Sequence, residues 1–160
     1  PTVGLQFSVH ESTDEKRDLI MPMKAKLNLR QIADKGVEFY NLTGRRPYFN
    51  YCAHEGNSTP EDARRLSELF DPCIWEATIS VICESNETMA EAISTQSDLV
   101  NIFSGMLLDY GFNTRVFNPA GQDDIGGGCG QLWQVQQWAE AHPEFMKQSA
   151  GNKCNNTKRK

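Results

Sequence analysis

The sequence predicts an α/β fold built on a parallel sheet, and three observations carry that prediction. Four segments of period-2 alternation are separated by segments with apolar residues at helical spacing. Cap and turn signals fall at the junctions between them. The length, 160 residues, suits one domain or a piece of one. Strands that alternate with helices pair in parallel through crossovers, so the sheet is either doubly wound or a segment of a barrel.

Residues 3–9 set Val3, Leu5, Phe7 and Val9 on one side, against Gln6, Ser8 and His10 on the other, the pattern of a strand with one apolar face. Ser12-x-x-Glu15 reads as a capping box. Leu29, Ile32, Ala33, Gly36, Val37 and Tyr40 then recur at helical spacing as far as Gly44. A second strand is expected at 47–53, with Phe49 and Tyr51 opposed by Asn50, Cys52 and His54. Thr59-Pro60-Glu61-Asp62 opens the next helix: Thr caps, Pro suits the first helical position, and the acids favour the positive helix end. Ala63, Leu66, Leu69 and Phe70 give it a buried stripe, and Pro72 stops it. The third strand, 75–83, alternates Trp75, Ala77, Ile79, Val81 and Cys83 against Glu76, Thr78 and Ser80. Leu99, Ile102, Phe103, Met106, Leu107 and Tyr110 mark a helix that Gly111 ends, and 112–117 forms a fourth short strand.

Ligands of parallel α/β sheets gather at the carboxyl ends of the strands. Those ends carry Ser8 and His10, then Cys52 and His54, then Glu84 to Asn86, so polar groups converge where a site is expected. About eight strands are usual for a filled barrel, and the chain supplies half that number. With its first strand starting almost at Pro1, it is expected to be the C-terminal portion of a larger enzyme. Its first strand would have an open edge that promotes self-association.

Composition narrows the class. No apolar run approaches the roughly 18 residues a spanning helix needs, and no secretory pattern is visible. The net charge is −5, and four basic residues (Lys153, Lys158, Arg159 and Lys160) sit in the last eight positions. Without them, 12 basic residues face 21 acidic ones, −9 for residues 1–152. So acidic a body does not attract a phosphate backbone by itself. The five cysteines form no Cys-x-x-Cys, which argues against a disulfide framework or a zinc knuckle and for a reducing, cytoplasmic setting. No metal site is expected, and burial is the default for Cys52, Cys73 and Cys83. Glycosylation-like triplets at Asn41, Asn57, Asn86 and Asn155 read as chance in a chain with eleven Asn.

The most unusual stretch is 121–133, Gly-Gln-Asp-Asp-Ile-Gly-Gly-Gly-Cys-Gly-Gln-Leu-Trp. Four of the five residues from Gly126 to Gly130 are glycine, so the backbone can approach a ligand closely and the thiol of Cys129 is the side chain displayed. If a helix begins just beyond, its N-terminus favours the thiolate. The competing reading is a connector whose cysteine packs inward. A phosphate loop fits poorly, because the glycine order is wrong and Asp123 and Asp124 repel phosphate. Two adjacent carboxylates without a His at ligand spacing make a poor metal site.

Asp123-Asp124-Ile125 followed by Cys129-Gly130-Gln131-Leu132 resembles the C-terminal signature of the radical S-adenosylmethionine (SAM) RNA methyltransferases that methylate adenosine C2 in ribosomal and transfer RNA, or C8 in their antibiotic-resistance relatives. Ser8-Val9-His10, Asp14-Glu15 and Leu19-Ile20-Met21-Pro22-Met23 are similar to the family's Ser-Leu-His strand and its Met-Pro-Ile sequel. Thr43-Gly44-Arg45-Arg46, Asn57 with Pro60-Glu61-Asp62-Ala63, and Tyr110-Gly111-Phe112 also match in order, so the resemblance runs from about Gly4 to Leu132. It implies a half barrel of the radical SAM type over 1–132, with about four strands, and a C-terminal helix and basic tail over 133–160.

The resemblance further implies a route to a difficult methylation. Adenine C2 is electron-poor and does not attack a sulfonium methyl. In the family the cysteine matching Cys129 first takes a methyl by displacement, a task suited to a thiolate. A second SAM, reduced by a 4Fe-4S cluster, yields a radical that removes hydrogen from that methyl, and the carbon adds to the base. Ser8, Val9 and His10 are implied SAM contacts, and Asn86 corresponds to a further one with a single residue inserted. The Cys-x-x-x-Cys-x-x-Cys of the cluster does not occur in this sequence, so its ligands would lie outside the chain and the chain alone would be inactive. RNA is the implied partner of the whole enzyme. Two other readings remain: a related radical SAM enzyme with a non-RNA substrate, and a non-catalytic binding module in which the glycine loop is a hinge.

Overall fold

The computed structural model describes residues 3–82 and 89–117; of these, 3–82 and 91–117 lie within one compact unit. The elements run β1 (Gln6–Ser8), α1 (Asp14–Ile20), α2 (Leu29–Thr43), β2 (Tyr48–Cys52), α3 (Pro60–Leu69), β3 (Glu76–Ser80), α4 (Met89–Asp109) and β4 (Asn113–Phe117). The four strands form one sheet in the order β1-β2-β3-β4, every neighbouring pair parallel. Sequential order with parallel pairing is how a β/α barrel grows, strand beside strand, with no reversal of direction.

Local chemistry sets most of the boundaries. Asn28 caps α2 in a reciprocal box with Gln31, and Gly44, at φ 69°, closes it by donating its N–H to Tyr40 O at 2.8 Å. Only a residue without Cβ takes that left-handed turn cheaply. Thr59 caps α3 in a second box with Asp62, and Pro60 holds the first helical position. The expected box at Ser12 is not formed. Thr13 is the cap, accepting from Lys16 N, while the Ser12 hydroxyl donates 2.5 Å across to Asp62 Oδ1. A long-range carboxylate outcompetes the local amide, because a hydrogen bond to a buried charge is the stronger one.

The strands are shorter than their alternation predicts. Expected over 3–9, β1 keeps only three residues: Pro47 has no N–H to extend the ladder, and His10 turns the chain away at φ 62°. Val9 N and His10 N both donate to Asn50 O, at 3.0 and 3.2 Å, which ends regular pairing. In β3 the expected alternation of burial is also lost, since Thr78 and Ser80 are buried together with Ala77 and Ile79. β2 is also paired on both sides and keeps its alternation, so the difference lies in what covers the polar face of β3: Arg115 lies over Thr78 and Asn50 over Ser80.

One face of the sheet holds the core. Phe49, Tyr51, Ala77 and Ile79 point into it and are fully buried. Phe49 stacks on Phe70 at 5.1 Å and meets Phe112 edge-on at 5.5 Å, and Tyr51 lies 5.2 Å from Phe103 of α4. Trp75 packs at 4.9 Å on Phe70 and against α2 at Gly36, where an added Cβ would fall 1.8 Å from the indole. Of the described cysteines, Cys52 is half-buried and Cys73 is exposed rather than buried. Asn57 is fully buried, which removes it as an acceptor for glycan. No helix among the described residues is long and apolar enough to cross a membrane.

Candidate functional site

The other face of the sheet is polar, and strand register orders it in rows. Ser8 pairs with Asn50, Asn50 with Thr78, and Thr78 with Arg115, one residue from each strand at one level. Below them run Gln6, Tyr48, Glu76 and Asn113; above them stand Cys52, Ser80 and Phe117. Residues two apart on a strand share a face, so all three rows lie on the same side. Gln6, Ser8, Asn50, Thr78, Arg115 and Phe117 line a cavity of about 420 Å³ there. A filled barrel has layers of Val, Ile and Leu at such levels. Ser, Asn, Thr and Arg in their place make a lined site instead of a core.

The lower row is closed by its own bonds. Glu76 Oε1 pairs with Arg46 at 3.1 Å and accepts from Asn113 Nδ2 at 3.1 Å. Burial alone raises the Glu76 carboxyl, but the bonds from Tyr48 and Asn113 and the charges of Arg46 and Arg115 outweigh it and hold the group below its ordinary value.

At the carboxyl end of β1, His10 is held by the backbone on every side. Its Nδ1 accepts the N–H of Cys52 at 3.1 Å, and its carbonyl accepts from Asn57 Nδ2 at 2.8 Å. A ring nitrogen that accepts carries no proton, so the neutral ring keeps its proton on Nε2 and presents a donor there. Burial, and then the charge of Arg17, lower the His10 pKa from its ordinary 6.5. The imidazole therefore works as a neutral donor. Its left-handed backbone is rare for a residue with a Cβ and is tolerated where surrounding bonds over-determine it.

Those bonds come from two residues that the sequence does not single out as working parts. Arg17 is 3% exposed, and its guanidinium donates to Val9 O at 3.1 Å, Ser8 O at 3.0 Å and Leu27 O at 2.6 Å. It thereby clamps the end of β1 that carries Ser8, Val9 and His10. Asn57 bridges His10 O and Cys52 O, at 2.8 and 2.9 Å, and receives His54 N at 2.8 Å, tying the end of β1 to that of β2. An arginine inside a helix of charged residues gives no sign that it will be buried. Asn57 is visible in the sequence only as one letter of a motif.

Beside this clamp, His54 Nε2 lies 3.2 Å from Glu11 Oε1, and its Nδ1 accepts from Gly56 N at 3.1 Å. Glu11 is almost fully buried and its Oε2 has no partner among the described residues. The neighbouring Cys52 thiol is pushed up by burial, which keeps it protonated and unsuited to nucleophilic work. Among the described residues no group of three or more His, Cys, Asp or Glu could hold a metal ion.

Of the predicted site residues, Ser8, Val9 and His10 lie among the described residues, in sequence at the carboxyl end of β1: Ser8 lines the cavity, Val9 is fully buried with its carbonyl held by Arg17, and His10 is half-buried. Asn86 and Cys129 lie outside the described residues.

A four-stranded parallel sheet with helices between the strands and a polar face at their register rows defines the chain as a partial β/α barrel. Its fold is that of a radical SAM methyltransferase. The crystal structure of such an enzyme from Sphaerobacter thermophilus superposes with a TM-score of 0.67 at 20% identity, over 81% of this chain and 38% of that one. No family model matches. The sequence is 34% identical over 131 residues to a protein of Clostridium perfringens named "Probable dual-specificity RNA methyltransferase RlmN", covering 81% of this chain and 37% of that protein. It is 31% identical over 132 residues to the dual-specificity RNA methyltransferase RlmN of Acidiphilium cryptum, of which it spans 33%. The chain is thus similar, over most of its own length, to proteins named as dual-specificity RNA methyltransferases, and it spans about a third of the length of these relatives.

Proposed function

We propose that the chain is the C-terminal part of a cytoplasmic radical SAM enzyme that methylates an adenosine of ribosomal or transfer RNA, residues 1–132 completing its barrel and 133–160 continuing as helix and tail. The observation that carries the reading is the Ser8–Asn50–Thr78–Arg115 row, with His10 held by Cys52 N just beyond the carboxyl end of β1. Polar groups of both donor and acceptor type line one cavity, and a neutral imidazole with its proton on Nε2 follows at the carboxyl end of β1. These residues fit SAM: the Ser8 hydroxyl and the His10 Nε2–H suit its ribose or adenine, with Val9 and Asn86 as further contacts. Bound nearby, a 4Fe-4S cluster held by cysteines outside this chain would supply the one-electron reduction that starts the radical chemistry.

In this proposal Cys129 is the methyl carrier. With SAM bound, the Cys129 thiolate would take its sulfonium methyl by displacement, with S-adenosylhomocysteine as the leaving group. The neighbouring glycines let the loop approach closely enough for an in-line displacement. Neutral His10 can donate a hydrogen bond to the cofactor without placing a second positive charge beside the sulfonium.

Mass analysis of the full-length protein made in cells tests the proposal. An added methyl on Cys129, missing from Cys129→Ala, is expected; an unmodified Cys129 in protein loaded with cluster and SAM overturns it. The charge of −9 over residues 1–152 favours one second reading, a radical SAM enzyme of the same scaffold with a non-RNA substrate. RNA binding that weakens with added salt decides for RNA.

A further inference from the structure

We infer that Arg115 is the anion-recognising residue of the polar cavity: its guanidinium takes an oxoanion of the bound ligand at the end of the row opposite Ser8. The inference rests on the proposed function for the ligand's identity, and on this structure for the residue.

Three observations converge. Arg115 brings the one charge to the middle row, with Ser8, Asn50 and Thr78 all neutral, and it lines the cavity with Ser8 and Gln6. Glu76, the carboxylate of the row below, is paired directly with Arg46 at 3.1 Å, and Arg115 acts on it through its charge alone, with no ion pair between them. The guanidinium is also pre-positioned. It lies 5.5 Å from the centre of the Tyr48 ring and donates one N–H to Thr78 Oγ1 at 3.3 Å. A cation–π contact and one hydrogen bond restrain the guanidinium, and its remaining donors suit two oxygens side by side.

Geometry limits the ligand. Ser8 and Arg115 are three strand spacings apart, about 14 Å between backbones, and the arginine side chain reaches back over Thr78 toward Ser8. An extended molecule with a neutral polar end and an anionic end spans that distance. Two sources supply such an oxoanion within the proposed reaction: the carboxylate of SAM and a phosphate of the RNA. In so acidic a protein, an exposed cation on the lining of a cavity also attracts anions that the rest of the surface repels.

The test compares the full-length wild type with Arg115→Gln and Arg115→Lys, by calorimetric titration with SAM, with decarboxylated SAM, and with an adenine-containing RNA hairpin. If the carboxylate is the anion, Arg115→Gln weakens SAM by about 10- to 100-fold, leaves decarboxylated SAM unchanged, and Arg115→Lys recovers only part of the loss. If the anion is a phosphate, both SAM forms are unchanged, RNA weakens and its salt dependence falls by about one contact. Equal affinities of wild type and Arg115→Gln for all three ligands overturn the inference while the proposed function stands. A wild type that binds neither SAM nor RNA overturns the proposed function, and this inference with it.

Discussion

The two faces of the sheet follow the same period-2 rule and come to opposite ends. On one, Phe49, Tyr51, Ala77 and Ile79 are fully excluded from water beneath Phe70, Phe103 and Trp75. On the other, Gln6, Ser8 and Arg115 stay exposed around a cavity, and Arg115 bonds to Thr78. Aromatic packing is insensitive to charge and pH and carries the stability. The polar rows and their rim depend on a few directional bonds, and they carry recognition. The apolar face is expected to survive most changes made to the polar one, and the reverse is not expected.

Phe49→Ala attacks the apolar face at its centre, where three aromatic rings meet it. It is expected to cost about 3–5 kcal/mol, read as a lower urea midpoint of the full-length protein, and to abolish SAM binding only as the protein unfolds. A loss below about 1 kcal/mol would mean that this face is not the core. Arg17→Met attacks the rim. It keeps the length of the side chain but leaves three carbonyls, Ser8 O, Val9 O and Leu27 O, without their donor. A cost of about 2–4 kcal/mol is expected, together with weaker SAM binding at temperatures where the variant is still folded. Unchanged SAM affinity in folded Arg17→Met would separate the clamp from the site.

Acid is the mildest of the three perturbations and acts through a few titrating groups, His10 first. His10 has its pKa lowered on folding, chiefly by burial and then by Arg17, so the unfolded chain binds its proton more readily. Stability from this group is complete above about pH 6.5 and is lost as the pH falls toward the folded value. Asp62 adds a second loss at lower pH. Burial raises its carboxyl, but the Ser12 and Thr59 hydrogen bonds and Lys16 outweigh that and hold it below its ordinary 3.8. A depressed carboxylate stabilises above its unfolded pKa, and this contribution disappears as the pH drops through the folded one. The melting temperature is expected to decline in two stages on acidification, with the first stage absent in His10→Gln. A single stage, unchanged by that substitution, would contradict the assignment.

The sequence by itself determined the order of strands and helices, the apolar side of the first three strands, and the caps at Thr59 and Gly44. All of these are written in local spacing, which short-range sterics and hydrogen bonding read directly. Tertiary structure decided where β1 stops, why Ser12 leaves its own helix for Asp62, and that Arg17 and Asn57 grip the backbone behind His10. It also brought Arg115 level with Ser8, 107 positions earlier in the chain. A register is fixed by pairing between distant strands, and a polar group buried by that pairing must bond to whatever the fold brings within reach. No window of neighbouring residues contains that information.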